Sequence, residues 1–164
     1  LVKKKPLRLA SFLTAKTFVK PLRVADRDEA IRALSALAAE ALRLNPEEIA
    51  AEVLTRERLM STGLGNEVAV PHARLDCLRR PLIAVGIAPQ GVDFDARDER
   101  PARLVFLVLT PRKNAGAQLQ LLADIGRLFR SPDFVRQAVE VANYTEFLAV
   151  LNSATAPPHR PESP

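Results

Sequence analysis

Cysteine is almost absent from this 164-residue chain, which has only Cys77, so no internal disulfide can staple it and a reducing cytoplasm is the expected setting. Histidine is nearly as scarce. With only His72 and His159, no Cys/His cluster reaches metal-ligand spacing, and neither a metal nor a cofactor is expected. Tryptophan is missing and aromatic residues make up 5%, which removes the stacking surface that single-stranded nucleic acids use. The net charge of +5 is spread over Lys3, Lys4 and Lys5, then Arg79 and Arg80, then Arg112 and Lys113. It forms no basic face, so nucleic acid is not an expected partner. No apolar run approaches the roughly 20 residues of a membrane span. The start, Leu1 to Leu9, lacks the apolar core of a secretory signal, so direct membrane insertion is not expected either. The chain opens on Leu1 rather than methionine and reads as a fragment of something longer.

What is present reads as one soluble domain. Hydrophobic residues make up 48% and charged residues 26%, ordinary for a globular protein of this size. The basic residues 1–8 and the proline- and serine-rich residues 154–164 predict mobile ends around a body spanning 9–153. Within that body, Asp26 is placed to cap a helix running to about Leu44, with Ile31, Leu34, Leu37 and Leu42 on one face and Glu29 at capping-box spacing. Asn45 and Pro46, with Glu47 and Glu48 behind them, start a second helix. From Ser61 to Asn66 the residues suit a loop, which leads into the β-prone run Val68-Ala69-Val70.

Leu82 to Ala88 and Leu104 to Leu109 are nearly continuous apolar runs bounded by prolines, the pattern of strands buried on both faces. Between them Val92 and Phe94 read as short-strand or anchoring residues, and Thr17 to Val24 can add an edge strand. Helical spacing returns from Ala117 to Phe129, with shorter helices at Asp133 to Val141 and Thr145 to Leu151. The expected fold is α/β, a single three-layer domain with a mixed central sheet flanked by helices on both faces.

Among residues that can carry chemistry, His72 stands first. Imidazole is a neutral nucleophile that titrates near pH 6.5 and holds a phosphoryl group in a transferable bond. From the residues alone, a structural histidine at a strand end, hydrogen-bonded to backbone, is the equal or better reading. Arg56 alone reads as a helix-end arginine pairing with Glu52 or Glu57. Asp93, Asp95 and Asp98 suggest turn capping more than a metal loop. Cys77, near Arg74, Arg79 and Arg80, reads as a loop cysteine. Ser61 and Thr62 have no histidine for a triad, and His159 is given no role.

The order of segments adds to this. Thr55-Arg56-Glu57, Ser61-Thr62-Gly63-Leu64-Gly65-Asn66 and Val68-Ala69-Val70-Pro71-His72-Ala73-Arg74 together resemble the signature of the enzyme IIA domains of the fructose, mannitol and nitrogen-regulatory type (PTS EIIA type-2). Val92 to Asp98, then Pro101, Leu104-Val105-Phe106 and Pro111, resemble its second strand pair, and Leu119 to Phe129 its long helix. The resemblance spans roughly Leu9 to Asn152. It implies a cytoplasmic phosphotransferase component whose His72 is phosphorylated by a histidine-containing phosphocarrier protein, with a IIB domain or a regulated target as the next partner and a nitrogen-type regulatory role ahead of a sugar-specific or transporter-attached one. It also implies that Arg56 sits beside the phosphoryl group. Two positions depart from the pattern. Gln118 stands where a second active-site histidine is usual; it can donate a hydrogen bond but carries no charge, which implies weakened transfer or a domain that only senses. Glu67 stands where glycine is usual, and its carboxylate would repel a phosphoryl group unless it turns outward.

Overall fold

A computed structural model describes residues 8–155. The sheet is built around two long strands that pair antiparallel, β5 (Leu82–Val92) and β6 (Ala102–Pro111). Their apolar residues point to both faces, which is why neither run alternates in hydropathy. On the outer side of β5 lies the short parallel strand β1 (Phe18–Val19), the edge strand expected from the region Thr17 to Val24. On the other side of β6 one stretch of chain runs parallel to it in two pieces, β3 (Val68–Ala69) and β4 (His72–Leu75). The piece between them holds Pro71, which has no N–H to give to a ladder. A hairpin strand, β2 (Gly63–Gly65), completes the sheet; the sequence suggested only a loop there.

Alternate residues of β6 separate the two layers that cover this mixed sheet. Val105, Leu107 and Leu109 pack with α1 (Arg27–Leu42) and α2 (Pro46–Leu59). Leu104, Phe106 and Val108 pack with α3 (Ala115–Leu128), α4 (Pro132–Glu140) and α5 (Tyr144–Thr155). Each of these fully buried side chains contributes roughly 1.5–3 kcal/mol by leaving water. The fold is therefore the three-layer α/β arrangement expected.

Local signals behave as side-chain chemistry requires. The Asp26 carboxylate accepts from the Glu29 N–H at 2.9 Å, Asn45 caps α2 ahead of Pro46, and Asn114 caps α3. The return bond of the first cap comes one residue earlier than the capping-box spacing suggests, since Glu29 accepts from the N–H of Ala25 at 2.8 Å. Helix α1 stops at Leu42 because Arg43 turns left-handed, with φ of 57°. Phe94 is buried and anchors the β5–β6 connection, and the Ser61 hydroxyl donates to its carbonyl. Helix α5 continues through Thr155, into the stretch read from sequence as a tail; the rest of that stretch, 156–164, and residues 1–7 of the basic start lie outside the described residues. No described helix is long and apolar enough to cross a membrane.

Candidate functional site

His72 opens β4 beside Val108 of β6, held there by the Val108 N–H donating to the Pro71 carbonyl at 3.0 Å. Val108 faces the layer of α3, and residues paired across parallel strands share a face, so the imidazole lies on that face. The ring is 5% exposed. Its Nδ1 lies 2.8 Å from the Val70 carbonyl oxygen. A carbonyl can only accept, so Nδ1 carries the proton and the lone pair is on Nε2. Nε2 makes no hydrogen bond to the described residues, and it is not among the buried unpartnered atoms, so it is the nitrogen that meets solvent.

Burial is the largest influence on this ring and holds its pKa below the ordinary imidazole value. The Val70 hydrogen bond acts the other way, Arg56 lowers the pKa further, Glu57 raises it, and Arg74 again lowers it. At neutral pH the ring is an uncharged base.

The Val70 carbonyl is the last link of a chain that begins on α2. Glu57 is 2% exposed, and its carboxylate accepts from the Thr62 N–H at 3.0 Å and from the Thr62 hydroxyl at 2.5 Å. The Thr62 carbonyl accepts from the Val70 N–H at 3.0 Å. A carboxylate near the end of α2 thus holds Thr62, which holds the residue whose carbonyl fixes the imidazole. Sequence reading placed both residues in the segments that carry the resemblance, but gave Glu57 a role only as a partner for Arg56 and Thr62 only in a rejected triad. The available signal was the buried-length spacing of an acidic residue five before a Thr-Gly turn, which has many other uses.

Arg56 ends α2 with its Nη1 donating to the Met60 carbonyl at 3.3 Å. It pairs with neither acid suggested by the sequence, because Glu57 is occupied by Thr62 and Glu52 lies 3.9 Å from Arg112. Among the described residues no carboxylate is within ion-pair distance of its guanidinium, and its positive charge acts on the ring of His72, where Glu57 opposes it.

Gln118 stands on the first turn of α3. That helix turns back along β6 and lays Leu121 and Ile125 against Leu104, Phe106 and Val108. Gln118 is on the flank of this buried stripe and is partly exposed, over the sheet face that carries His72. No hydrogen bond joins it to His72 or Arg56.

Glu67 has turned away. It adopts φ of 66°, the left-handed conformation glycine would favour, and its carboxylate lies 2.9 Å from Arg100 and 3.5 Å from Arg103. Its neighbour Val68 pairs with Leu104, whereas His72 pairs with Val108, a separation of about 13 Å at roughly 3.3 Å per strand residue. Asp93 accepts from the N–H of Asp95, and Asp98 from the N–H groups of Asn66 and Arg100; those two backbone bonds hold the Asp98 carboxyl below its ordinary pKa. They serve turns. Cys77 is exposed in the loop after β4.

The large hydrophobic side chains left exposed among the described residues are Leu59, Met60, Leu64 and Leu119. They lie at the end of α2 after Arg56, in the β2 hairpin, and directly after Gln118.

Comparison with known proteins bears on the chain as a whole. The sequence pattern of the family described as phosphoenolpyruvate-dependent sugar phosphotransferase system, EIIA 2, matches residues 11–154. A fructose-specific EIIA component of a PTS system from Haloferax volcanii is 33% identical over 117 residues, covering 71% of this chain and 76% of that protein. A nitrogen regulatory protein from Pseudomonas aeruginosa is 36% identical over 112 residues, covering 68% and 72%. The crystal structure of the nitrogen regulatory protein IIA-Ntr from Neisseria meningitidis superposes with a TM-score of 0.82 at 26% identity, covering 87% of this chain and 98% of that one.

Proposed function

Because the chain belongs to the EIIA type 2 family of the phosphoenolpyruvate-dependent phosphotransferase system, we propose that His72 is the residue that takes the phosphoryl group, at Nε2, from a phosphohistidine on a histidine-containing phosphocarrier protein. The observation that carries this reading is the tautomer: Nδ1–H is committed to the Val70 carbonyl, which leaves a neutral, solvent-facing lone pair on Nε2. That lone pair attacks phosphorus in line. The new Nε2–P bond forms as the carrier's N–P bond breaks, and the electron pair of the broken bond stays on the carrier's nitrogen. Throughout, Nδ1–H keeps donating to the Val70 carbonyl, whose dipole stabilises the positive charge the ring acquires.

Arg56 supplies the positive charge for the equatorial oxygens, with planar donors suited to an oxyanion pair. Gln118 offers a neutral donor from the opposite side. The exposed side chains Met60 and Leu119 border these two residues and support a protein donor over a small molecule.

The role we infer is regulatory and of the nitrogen type, exercised in the cytoplasm, with a target protein controlled by the phosphorylation state of His72. Replacement of a charged or titratable donor by Gln118 favours holding a phosphoryl group over passing it on quickly to a IIB acceptor. Incubation with a phosphorylated histidine phosphocarrier tests the central claim. One acid-labile phosphate per chain is expected on the wild type and none on His72→Ala. Acid-stable label, or equal label on the alanine variant, would refute it.

A further inference from the structure

Two side-chain oxygens among the described residues are buried without a hydrogen-bond partner, Ser35 Oγ within α1 and Thr110 Oγ1 at the end of β6. A buried hydroxyl left unpaired is costly, and natural proteins keep few of them. Ser35 belongs to the helix layer on the far side of the sheet. Thr110 lies at the site.

Its position follows from register. Thr110 pairs with Arg74, and Val108, two residues earlier, pairs with His72. Side chains alternate along a strand, so Thr110 faces the same way as Val108 and His72, toward the layer of α3. Only residues 112–114 separate β6 from α3, so the first turn of the helix returns over the end of the strand and closes Thr110 off entirely, at 0% exposure. On that turn Ala117 is buried, and Gln118 lies on the flank of the stripe formed by Ala117, Leu121 and Ile125. Gln120 falls on the other side of this stripe at 100° per residue.

We propose that Thr110 is a positioning residue for phosphoryl transfer at His72: in the phosphorylated protein its hydroxyl donates to the side-chain carbonyl of Gln118 and turns the Gln118 amide NH2 toward the phosphoryl oxygens. The proposal rests on His72 being the acceptor. Before phosphorylation Gln118 is partly in water and Thr110 is unpartnered. Once the phosphoryl dianion is on Nε2, the amide has an acceptor to turn toward, and the hydroxyl gains the partner it lacks. The pair then acts as one oriented neutral donor, and the buried hydroxyl is kept for the charged state at the expense of the uncharged one.

Phosphoramidate serves as the phosphoryl donor in the test: Nε2 attacks its phosphorus, the Nε2–P bond forms, and the P–N bond breaks with ammonia leaving on the electron pair. Thr110→Val should be charged about fivefold more slowly than wild type, the worth of one neutral hydrogen bond, and Thr110→Ser at close to the wild-type rate. Gln118→Ala should be similarly slow. The double variant Thr110→Val with Gln118→Ala should be no slower than the slower single, since the two act as a unit. The uncharged Thr110→Val protein should melt no lower than wild type, because a methyl group replaces an orphaned hydroxyl. In wild type alone, charging should shift the Gln118 side-chain NH2 resonances in the NMR spectrum.

Charging of Thr110→Val at the wild-type rate overturns the role of Thr110. So do losses that multiply in the double variant, or a Gln118 amide unmoved in charged wild type, a measurement that needs no variant to fold. Failure of a phosphorylated histidine phosphocarrier to charge His72 of wild type removes the acceptor reading itself and the role of Thr110 with it, an outcome distinct from the other three.

Discussion

Replacing Glu57 by glutamine tests whether the hydrogen-bonded chain from α2 to His72 sets both stability and site chemistry. The carboxylate is buried and accepts two bonds from Thr62, at 3.0 and 2.5 Å. Hydrogen bonds to a charged group are worth about 1.5–3 kcal/mol each. Glutamine keeps one carbonyl for the Thr62 N–H, but its NH2 meets the Thr62 hydroxyl, which must reverse its role from donor to acceptor. The expected net loss is about 2 kcal/mol, which for a domain of this size lowers Tm by roughly 4–8 °C.

The site should respond as well. Glu57 raises the pKa of His72 against the burial that lowers it, so Glu57→Gln should move the imidazole titration further down. Circular dichroism melting gives the first quantity, and an NMR titration of the His72 ring, assigned by its loss in His72→Ala, gives the second. An unchanged Tm would show that the Thr62 bonds contribute nothing net. A His72 titration that moves upward would show that the Glu57 charge does not reach the ring, and either result refutes the linkage.

The lowered pKa of His72 also fixes a pH dependence. The unfolded ring takes a proton near its ordinary value of 6.5 and the folded ring only below that, so between the two values the unfolded state binds more protons and stability falls as pH falls. Compared with His72→Gln, wild type should lose up to about 1.4 kcal/mol per pH unit on acidification below 6.5; parallel stability curves for the two proteins in chemical denaturation would contradict this. Gln118→His should speed transfer between His72 and a labelled phosphocarrier in single-turnover measurements, since a charged donor facing a developing anion is worth about 2–4 kcal/mol where a neutral one gives about 1. Wild type transferring as fast as Gln118→His would mean that the amide already suffices.

The fold was legible where burial imposes a pattern. Leu82 to Ala88 and Leu104 to Leu109 carry apolar side chains for two layers at once and so show no alternation, which is why they could be placed at the centre of the sheet. The first two helices showed through their caps, because Asp26 and Asn45 each accept from an N–H of their own first turn; α3 showed through its spacing, and its cap Asn114 was not read from the sequence. The β2 hairpin strand was not legible. Gly63-Leu64-Gly65 has no β-prone composition, and it pairs with β3 only because Gly63 leaves no room for a side chain, with Ala96 Cβ 3.0 Å from where its own Cβ would stand.

The site divides along the same line. Pro71-His72 and Arg56 stand out through their order along the chain, which resembles a known arrangement, since each by itself reads as well or better as a structural residue. Glu57, Thr62 and Thr110 do not stand out, since an acidic residue and two threonines are common anywhere on a surface. What distinguishes them is burial: Thr110 is 0% exposed at the end of β6, and Glu57 is 2% exposed with its carboxylate accepting from the Thr62 N–H. A residue that reacts can be recognised by its place in an ordered set of motifs. One that holds the reacting residue in place takes its role from its neighbours in space, and Thr110 meets the strand of His72 through Arg74, 36 residues away, a distance over which no helical or strand period carries information.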